Sequence, residues 1–284
     1  MRLHPAELMN IVLMVAGGLV LLVGLVRVGL RHRWRSALSF VPRRTRRLDL
    51  IHVTVILTGW LLASVALNAL GSILSPPNGL LPDEWRGSGP MPSLWGVLSQ
   101  STAKLLAAGV LVVWVSVLME GGVSGFGLTC RRLGRNITWG VLGYLAVWPL
   151  CMGCAQLIVW FTGEPPLHTV IQLLRSPRMP MWGTLTLWLS AVLISPVAEE
   201  VFFRGLLQTV VRGYSDRPWL AIVVASAAFG LVHAHQPQYV APLLLLGLGL
   251  GYIYEHTGSL VGPIVLHILF NSRTMIMDLL VRQG

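Results

Sequence analysis

Eight times along the chain the sequence stays apolar for close to the ~20 residues an α-helix needs to cross a hydrocarbon core. The runs cover residues 8–30, 50–71, 104–120, 138–161, 182–212, 218–234, 238–255 and 259–281. Lipid offers an open backbone no hydrogen-bond partner, so each run is predicted to be a helix. The expected fold class is therefore all-α: a polytopic membrane protein with about eight transmembrane helices. A hydrophobic content of 54% against 11% charged residues agrees with that class. The fifth run exceeds a perpendicular crossing and is expected to tilt, to kink near Pro196, or to extend beyond the bilayer.

The first run is too long for the apolar part of a signal peptide, has no small-residue cleavage site, and is followed by a basic flank. It is expected to be a retained helix. The net charge of +10 raises the question of nucleic acid. Much of it sits in Arg27, Arg31, Arg33, Arg35, Arg43, Arg44, Arg46 and Arg47, between two apolar runs. There it reads as a positive-inside signal, also compatible with lipid headgroups, and no nucleic-acid motif accompanies it. With this loop cytoplasmic, alternation places Arg131, Arg132 and Arg135, and the turn holding Arg212 and Arg217, on the inner face. The segment with Asp83, Glu84 and Arg86 falls outside, as do both termini. An Arg- and Trp-rich chain with a single lysine and no organelle signal reads as a bacterial inner (plasma) membrane protein.

A Gly-, Pro- and Ser-rich stretch from Gly71 to Ser101 separates two N-terminal spans from the rest. The expected organisation is a hairpin plus outer loop over 1–103 and a six-helix unit over 104–284. A second outer segment, Gly163 to Pro180, is predicted to form a short interfacial helix within Leu167–Leu174. Cys130, Cys151 and Cys154 provide no disulfide framework, and without a second pair the Cys-x-x-Cys at 151 is read as packing.

Against this background the polar residues inside the runs stand out: Glu199, Glu200, Arg204, His233, His267 and Asn271. A charge at bilayer depth costs roughly 2.5–3.5 kcal/mol on insertion scales, which makes a functional constellation the first reading. Helical spacing stacks Glu200 with Arg204 and His267 with Asn271, each pair four residues apart. Glu199 points about 100° from Glu200. One carboxylate is thus expected in a structural ion pair with Arg204 and the other free for chemistry. A buried salt-bridge network without chemistry explains the Glu and Arg equally well, and interhelical hydrogen bonding explains each His or Asn taken alone.

Depth makes the combination more specific. Measured from a turn between Gly213 and Pro218, Glu199 and His233 come out about 21 and 22 Å along their helices. From a turn at Ser259, His267 and Asn271 come out at about 12 and 18 Å. A carboxylate and an imidazole meeting in a dehydrated cavity can deprotonate water, and a second His with an Asn one turn away can donate to an oxyanion. No Ser or Cys is paired with a base; Ser195 lies one turn before Glu199. Two His and two Glu could also hold catalytic zinc, with His235 as an extra ligand to test, although the His-Glu-x-x-His signature is absent. A proton-coupled transporter would use the same residues but lacks repeat symmetry.

Taken in order, Glu-Glu-x-x-x-Arg at 199–204, Phe-x-x-x-His at 229–233 and His-x-x-x-Asn at 267–271 resemble the CAAX prenyl protease 2 type of intramembrane endopeptidase, the CPBP or Abi family, which includes bacteriocin-immunity relatives. The linking text from Gly247 to Tyr252 and from Thr257 to Pro263 is similar as well, so the resemblance covers about 182–275 and implies a catalytic core in the C-terminal half. The resemblance implies a glutamate-type, metal-independent protease without a cofactor, acting on a membrane-associated protein or peptide substrate in the lipid bilayer. Glu199 and His233 would activate water, His267 and Asn271 would form the oxyanion hole, and Glu200 with Arg204 would support them. The alternatives are a zinc-dependent version and a non-enzymatic membrane immunity or interaction protein.

Overall fold

A helix occupies most of each of the eight apolar runs in the computed structural model, which describes residues 5–30, 38, 48–74, 94–119, 121–164, 169–176, 179 and 181–283. The long helices are α1 (Pro5–Leu30), α2 (Leu50–Leu74) and α3 (Leu94–Leu118), followed by a short turn, α4 (Gly122–Gly125). Then come α5 (Leu133–Thr162) and the short α6 (Thr169–Leu174). The C-terminal half holds α7 (Met181–Ser215), α8 (Pro218–Leu231), α9 (Val240–Thr257) and α10 (Val261–Gln283). The described residues contain no strand. The loop cations from Arg31 to Arg47, the acidic pair Asp83 and Glu84 with Arg86, and Leu167 and His168 lie outside the described residues.

Six of these helices are long and apolar enough to cross a membrane: α1, α2, α3, α5, α7 and α10. The protein is thus an integral membrane protein by helix length and composition. The expected spans 218–234 and 238–255 are not among the six. Helix α8 has only 14 residues, and α9 runs to the polar Glu255, His256 and Thr257. Both bury apolar residues in the bundle, Ile222 and Phe229 from α8 and Leu246 and Leu250 from α9. A helix enclosed by protein need not match the bilayer thickness.

The apolar residues on the outer helices face outward: Val65 on α2, Val117 on α3 and Leu157 on α5 are each at least 58% exposed. Exposed aromatic residues mark the two levels where helices end, Trp160, Phe161 and Trp182 at one and Tyr214 and Trp219 at the other. Two buried clusters join helix ends. One joins Leu48, Met119, Phe126, Val210, Tyr254 and Leu260. The other joins Leu94, Ile171, Leu174, Leu187 and Met275, with Arg175 Nε donating to Asp278 Oδ1 at 2.7 Å. Helix α6 therefore caps α7 as expected, but buries its apolar side chains in protein instead of lying in the interface.

Helix α3 begins ten residues earlier than the expected span at 104. Its first turns carry Ser99, Gln100 and Ser101, whose polarity masks the helix in a hydropathy reading. In the fold these side chains are satisfied internally: Ser99 Oγ donates to Asn68 Oδ1 at 3.0 Å, Ser64 Oγ to Gln100 Oε1 at 3.2 Å, and Ser101 meets Ser190. Helix α1 lies on α5 and α2 on α3. Arg273 of α10 ties α1 and α5 together, bonding Asn10 and lying 4.8 Å over the Trp148 ring.

Helix α7 runs unbroken through Pro196. Around Pro196, where a kink was one of the expected alternatives, it has two wider π-helical stretches, Ser190–Ile194 and Val201–Gln208, on either side of the α-helical turn Ser195–Glu200. Proline cannot donate to the carbonyl one turn back, and the widened turn before it takes up the mismatch. Gly205 allows the Phe126 ring to press against α7, because a Cβ there would sit 2.2 Å from that ring. Gly127, at φ +102°, turns the chain after α4 so that its carbonyl accepts the Leu260 amide at 2.9 Å.

Candidate active site

The paired glutamates occupy the α-helical turn between the two π-helical stretches of α7, and their side chains go to different partners. Glu200 is fully buried. Its Oε1 accepts from Arg204 Nη1 at 2.9 Å and from His267 Nδ1 at 2.8 Å. Arg204, also fully buried, points Nη2 at the Gly247 carbonyl at 3.4 Å and lies 4.7 Å over the Phe229 ring. The expected ion pair of Glu200 with Arg204 is present. The Gly-rich text on α9 has a physical reason too: a Cβ at Gly247 would sit 2.9 Å from Ser226, so side chains there would hold α9 away from α8.

Glu199 is the more open carboxylate. Its Oε1 accepts from Lys104 Nζ at 2.5 Å, and its Oε2 lies 3.9 Å from His267 Nε2. That gap is too long for a direct hydrogen bond. It is short enough for one water, at about 2.8 Å from each atom, to touch both. His233 has no hydrogen bond to Glu199, but stands within electrostatic reach of it and of Lys104. With both imidazoles neutral, the four charges cancel: Lys104 and Arg204 against Glu199 and Glu200.

The hydrogen bonds select imidazole tautomers. His233 Nδ1 meets the Phe229 carbonyl at 2.9 Å. A carbonyl only accepts, so Nδ1 carries the proton and Nε2 of the neutral ring is a base. His267 Nδ1 likewise donates to Glu200, which leaves Nε2 to face Glu199. Asn271 Nδ2 donates to the Ala191 carbonyl in the first π-helical stretch at 2.8 Å, leaving one N–H of the amide for another acceptor.

His233 is not inside a helix as the expected span had it. Helix α8 ends at Leu231, and His233 lies in the turn that follows. At about 21 Å, α8 is shorter than the ~30 Å hydrocarbon core, so the non-helical backbone after it begins at membrane depth. Such backbone is tolerated only inside protein or against water. The half-exposed His233 and the exposed His235 that follow fit a water-accessible recess.

The structure thus brings Glu199, Glu200, Arg204 and His267 into contact, with His233 and Asn271 beside them. Two further residues belong to the cluster. Phe229 is buried and touches three members: Arg204, His233 at a centroid distance of 5.4 Å and His267 at 5.6 Å. Lys104 bonds Glu199 and also lies 3.2 Å from Ser195 Oγ. The same test that singled out Glu199, a charge in an apolar run, applies to Lys104, which stands at the first position of the expected span 104–120. Among the described residues no three His, Cys, Asp or Glu side chains gather as a metal-holding group.

Residues 181–273 match the family described as Type II CAAX prenyl endopeptidase Rce1-like, a segment that contains every one of the six sequence-derived site residues. No curated protein and no solved structure matches the chain.

Proposed function

Because this chain carries a segment of the type II CAAX prenyl endopeptidase Rce1-like family at residues 181–273, we propose that it is an intramembrane endopeptidase that cleaves a membrane-associated or prenylated-type protein substrate with a water molecule. The observation that carries the reading is the pair of atoms Glu199 Oε2 and His267 Nε2, 3.9 Å apart, with the Glu199 side chain 12% exposed. Water held there loses its proton to Glu199 with His233 Nε2 as the neighbouring base, and its oxygen adds to the scissile carbonyl. His267, carrying at Nε2 a proton taken up from solvent before the water is activated and kept through the turnover, and the free N–H of Asn271 donate to the oxyanion. Glu200 and Arg204 keep His267 oriented, as a carboxylate behind an imidazole does in other hydrolytic sites.

Ser195 fits the nucleophile's role less well. Lys104 Nζ, its neighbour at 3.2 Å, is already an ammonium against Glu199 and donates toward Ser195 Oγ instead of removing its proton. The proposed setting is a bacterial inner membrane, where the substrate need not be prenylated.

Comparison of the membrane proteomes of cells carrying the wild type and Glu199→Gln tests the reading and identifies substrates together. Fragments that vanish in the variant, with the protein still inserted, support it. Identical proteomes, or protection of a partner that survives loss of both Glu199 and His233, favour a non-enzymatic interaction protein. Activity that disappears on exhaustive chelation and returns with zinc favours the metal-dependent version.

A further inference from the structure

Lys104 is the chain's one lysine, all its other basic side chains apart from histidine being arginine, and it lies outside the matched segment. Helix α3 delivers it about 15 Å from the helix start, so that one side chain from the N-terminal half enters a cluster otherwise supplied by α7, α8 and α10. An ammonium has three N–H groups. Two are taken by Glu199 Oε1 and Ser195 Oγ, and Lys104 has no other hydrogen-bond partner among the described residues. The side chain is 22% exposed, whereas the other cation of the cluster, Arg204, is sealed at 0% and does not release a proton. Both imidazoles spend their Nδ1 proton on fixed acceptors. In the resting site Lys104 therefore combines a transferable proton, a free N–H and access to the recess.

Peptide hydrolysis needs such a group, because the nitrogen of the scissile bond leaves as an amine only when it gains a proton. Building on the endopeptidase reading, we propose that Lys104 is the acid that protonates the departing amine and is recharged by Glu199. Glu199 takes a proton from water as the water oxygen bonds to the carbonyl carbon. When the tetrahedral intermediate collapses, the C–N bond breaks and its electron pair takes a proton from Lys104 Nζ. The neutral lysine then recovers a proton from the protonated Glu199 across their hydrogen bond, restoring ammonium and carboxylate. One water is consumed, one carboxylic acid and one amine are formed, and the enzyme ends with the protons it began with.

The test is single-turnover cleavage of a farnesylated reporter peptide ending in a CAAX sequence by the purified full-length protein in detergent micelles. Lys104→Ala is expected to lose about 10²–10³-fold in rate. Added methylammonium should restore part of the loss, and tetramethylammonium, a cation without N–H, should not. Lys104→Arg keeps the charge and the salt bridge to Glu199 but does not give up a proton, so it is expected to fold like the wild type, by thermal unfolding, and to lose activity to a similar extent. It carries the test if Lys104→Ala does not fold. Full activity in Lys104→Arg, a Lys104→Ala rate within about threefold of wild type, or equal rescue by both cations overturns the relay while leaving the endopeptidase reading standing. A wild type that cleaves neither this reporter, nor its non-prenylated form, nor any protein in the membrane-proteome comparison overturns both.

Discussion

His267 touches Glu200 through Nδ1 at 2.8 Å and faces Glu199 Oε2 with Nε2 at 3.9 Å, so one imidazole links two carboxylates that are adjacent in sequence. Neighbouring residues on a helix diverge by about 100°, and α10 closes that angle from the opposite side. Glu200 on one side of the link is sealed at 0% exposure, and Glu199 on the other is 12% exposed. This division makes the two glutamates experimentally separable.

Breaking the sealed pair is expected to be costly, and deleting it cheap. Glu200→Gln leaves Arg204 uncompensated at zero exposure and is expected to lose about 3–5 kcal/mol. The double variant Glu200→Met, Arg204→Met removes both charges together and is expected to recover most of that stability while remaining inactive. Thermal unfolding in detergent, with the reporter assay alongside, checks both outcomes; equal stability of the single and double variants would contradict the pairing.

Phe229 is expected to matter beyond its size. Its ring lies under the Arg204 guanidinium and against both imidazoles. Phe229→Leu keeps an apolar side chain but forfeits the cation–π contact and the ring edges, a loss of about 1–3 kcal/mol. Histidine NMR signals from both His233 and His267 should shift in this variant; movement of neither would mean that the ring does not position them.

Asn271→Ala removes the donor to the Ala191 carbonyl. A part-buried carbonyl left without a partner costs up to about 1–3 kcal/mol, and the lost oxyanion donor adds a fall of about 10²–10³ in kcat. Steady-state kinetics separates the two effects: the oxyanion role requires kcat to fall with KM little changed, whereas unchanged kcat in folded protein leaves Asn271 a structural residue.

Close contact between α5 and α10 should resist even one methyl group. A Cβ at Gly140 would lie 2.6 Å from the Gly262 carbonyl and 2.8 Å from Val265 Cβ. Gly140→Ala is expected to destabilise by about 1–3 kcal/mol and, by displacing α10, to slow cleavage. Gly153→Ala, on the same helix with open space around it, should be neutral or stabilising by up to about 1 kcal/mol. Matching unfolding temperatures for the two variants would refute the packing argument.

Much of the candidate site was legible because charge inside an apolar run is conspicuous. Glu199, Glu200, Arg204, His233, His267 and Asn271 were singled out that way; Glu200 contacts Arg204 and His267, His267 faces Glu199, and Asn271, one turn beyond His267, bonds the Ala191 carbonyl. The salt bridge of Glu200 with Arg204 followed from i, i+4 spacing alone. The placement of His233 within a helix did not hold, since apolar composition continues past Leu231 although the helix stops there. The start of α3 was hidden for the converse reason: Ser99, Gln100 and Ser101 look like loop until their partners Asn68, Ser64 and Ser190 are known.

By itself the sequence determined the class of fold, the approximate place of each helix, and the residues whose burial demands an explanation. Those properties depend on the hydropathy of consecutive residues and on the helical repeat, both written locally in the chain. Tertiary structure alone decided which carboxylate is sealed and which is open, which nitrogen of each imidazole is committed, and that Lys104 meets Glu199 across 95 positions of sequence. These depend on which helix faces which. A hydropathy pattern tells a helix to avoid water but does not name its neighbour; close packing of glycines and side chains makes that choice.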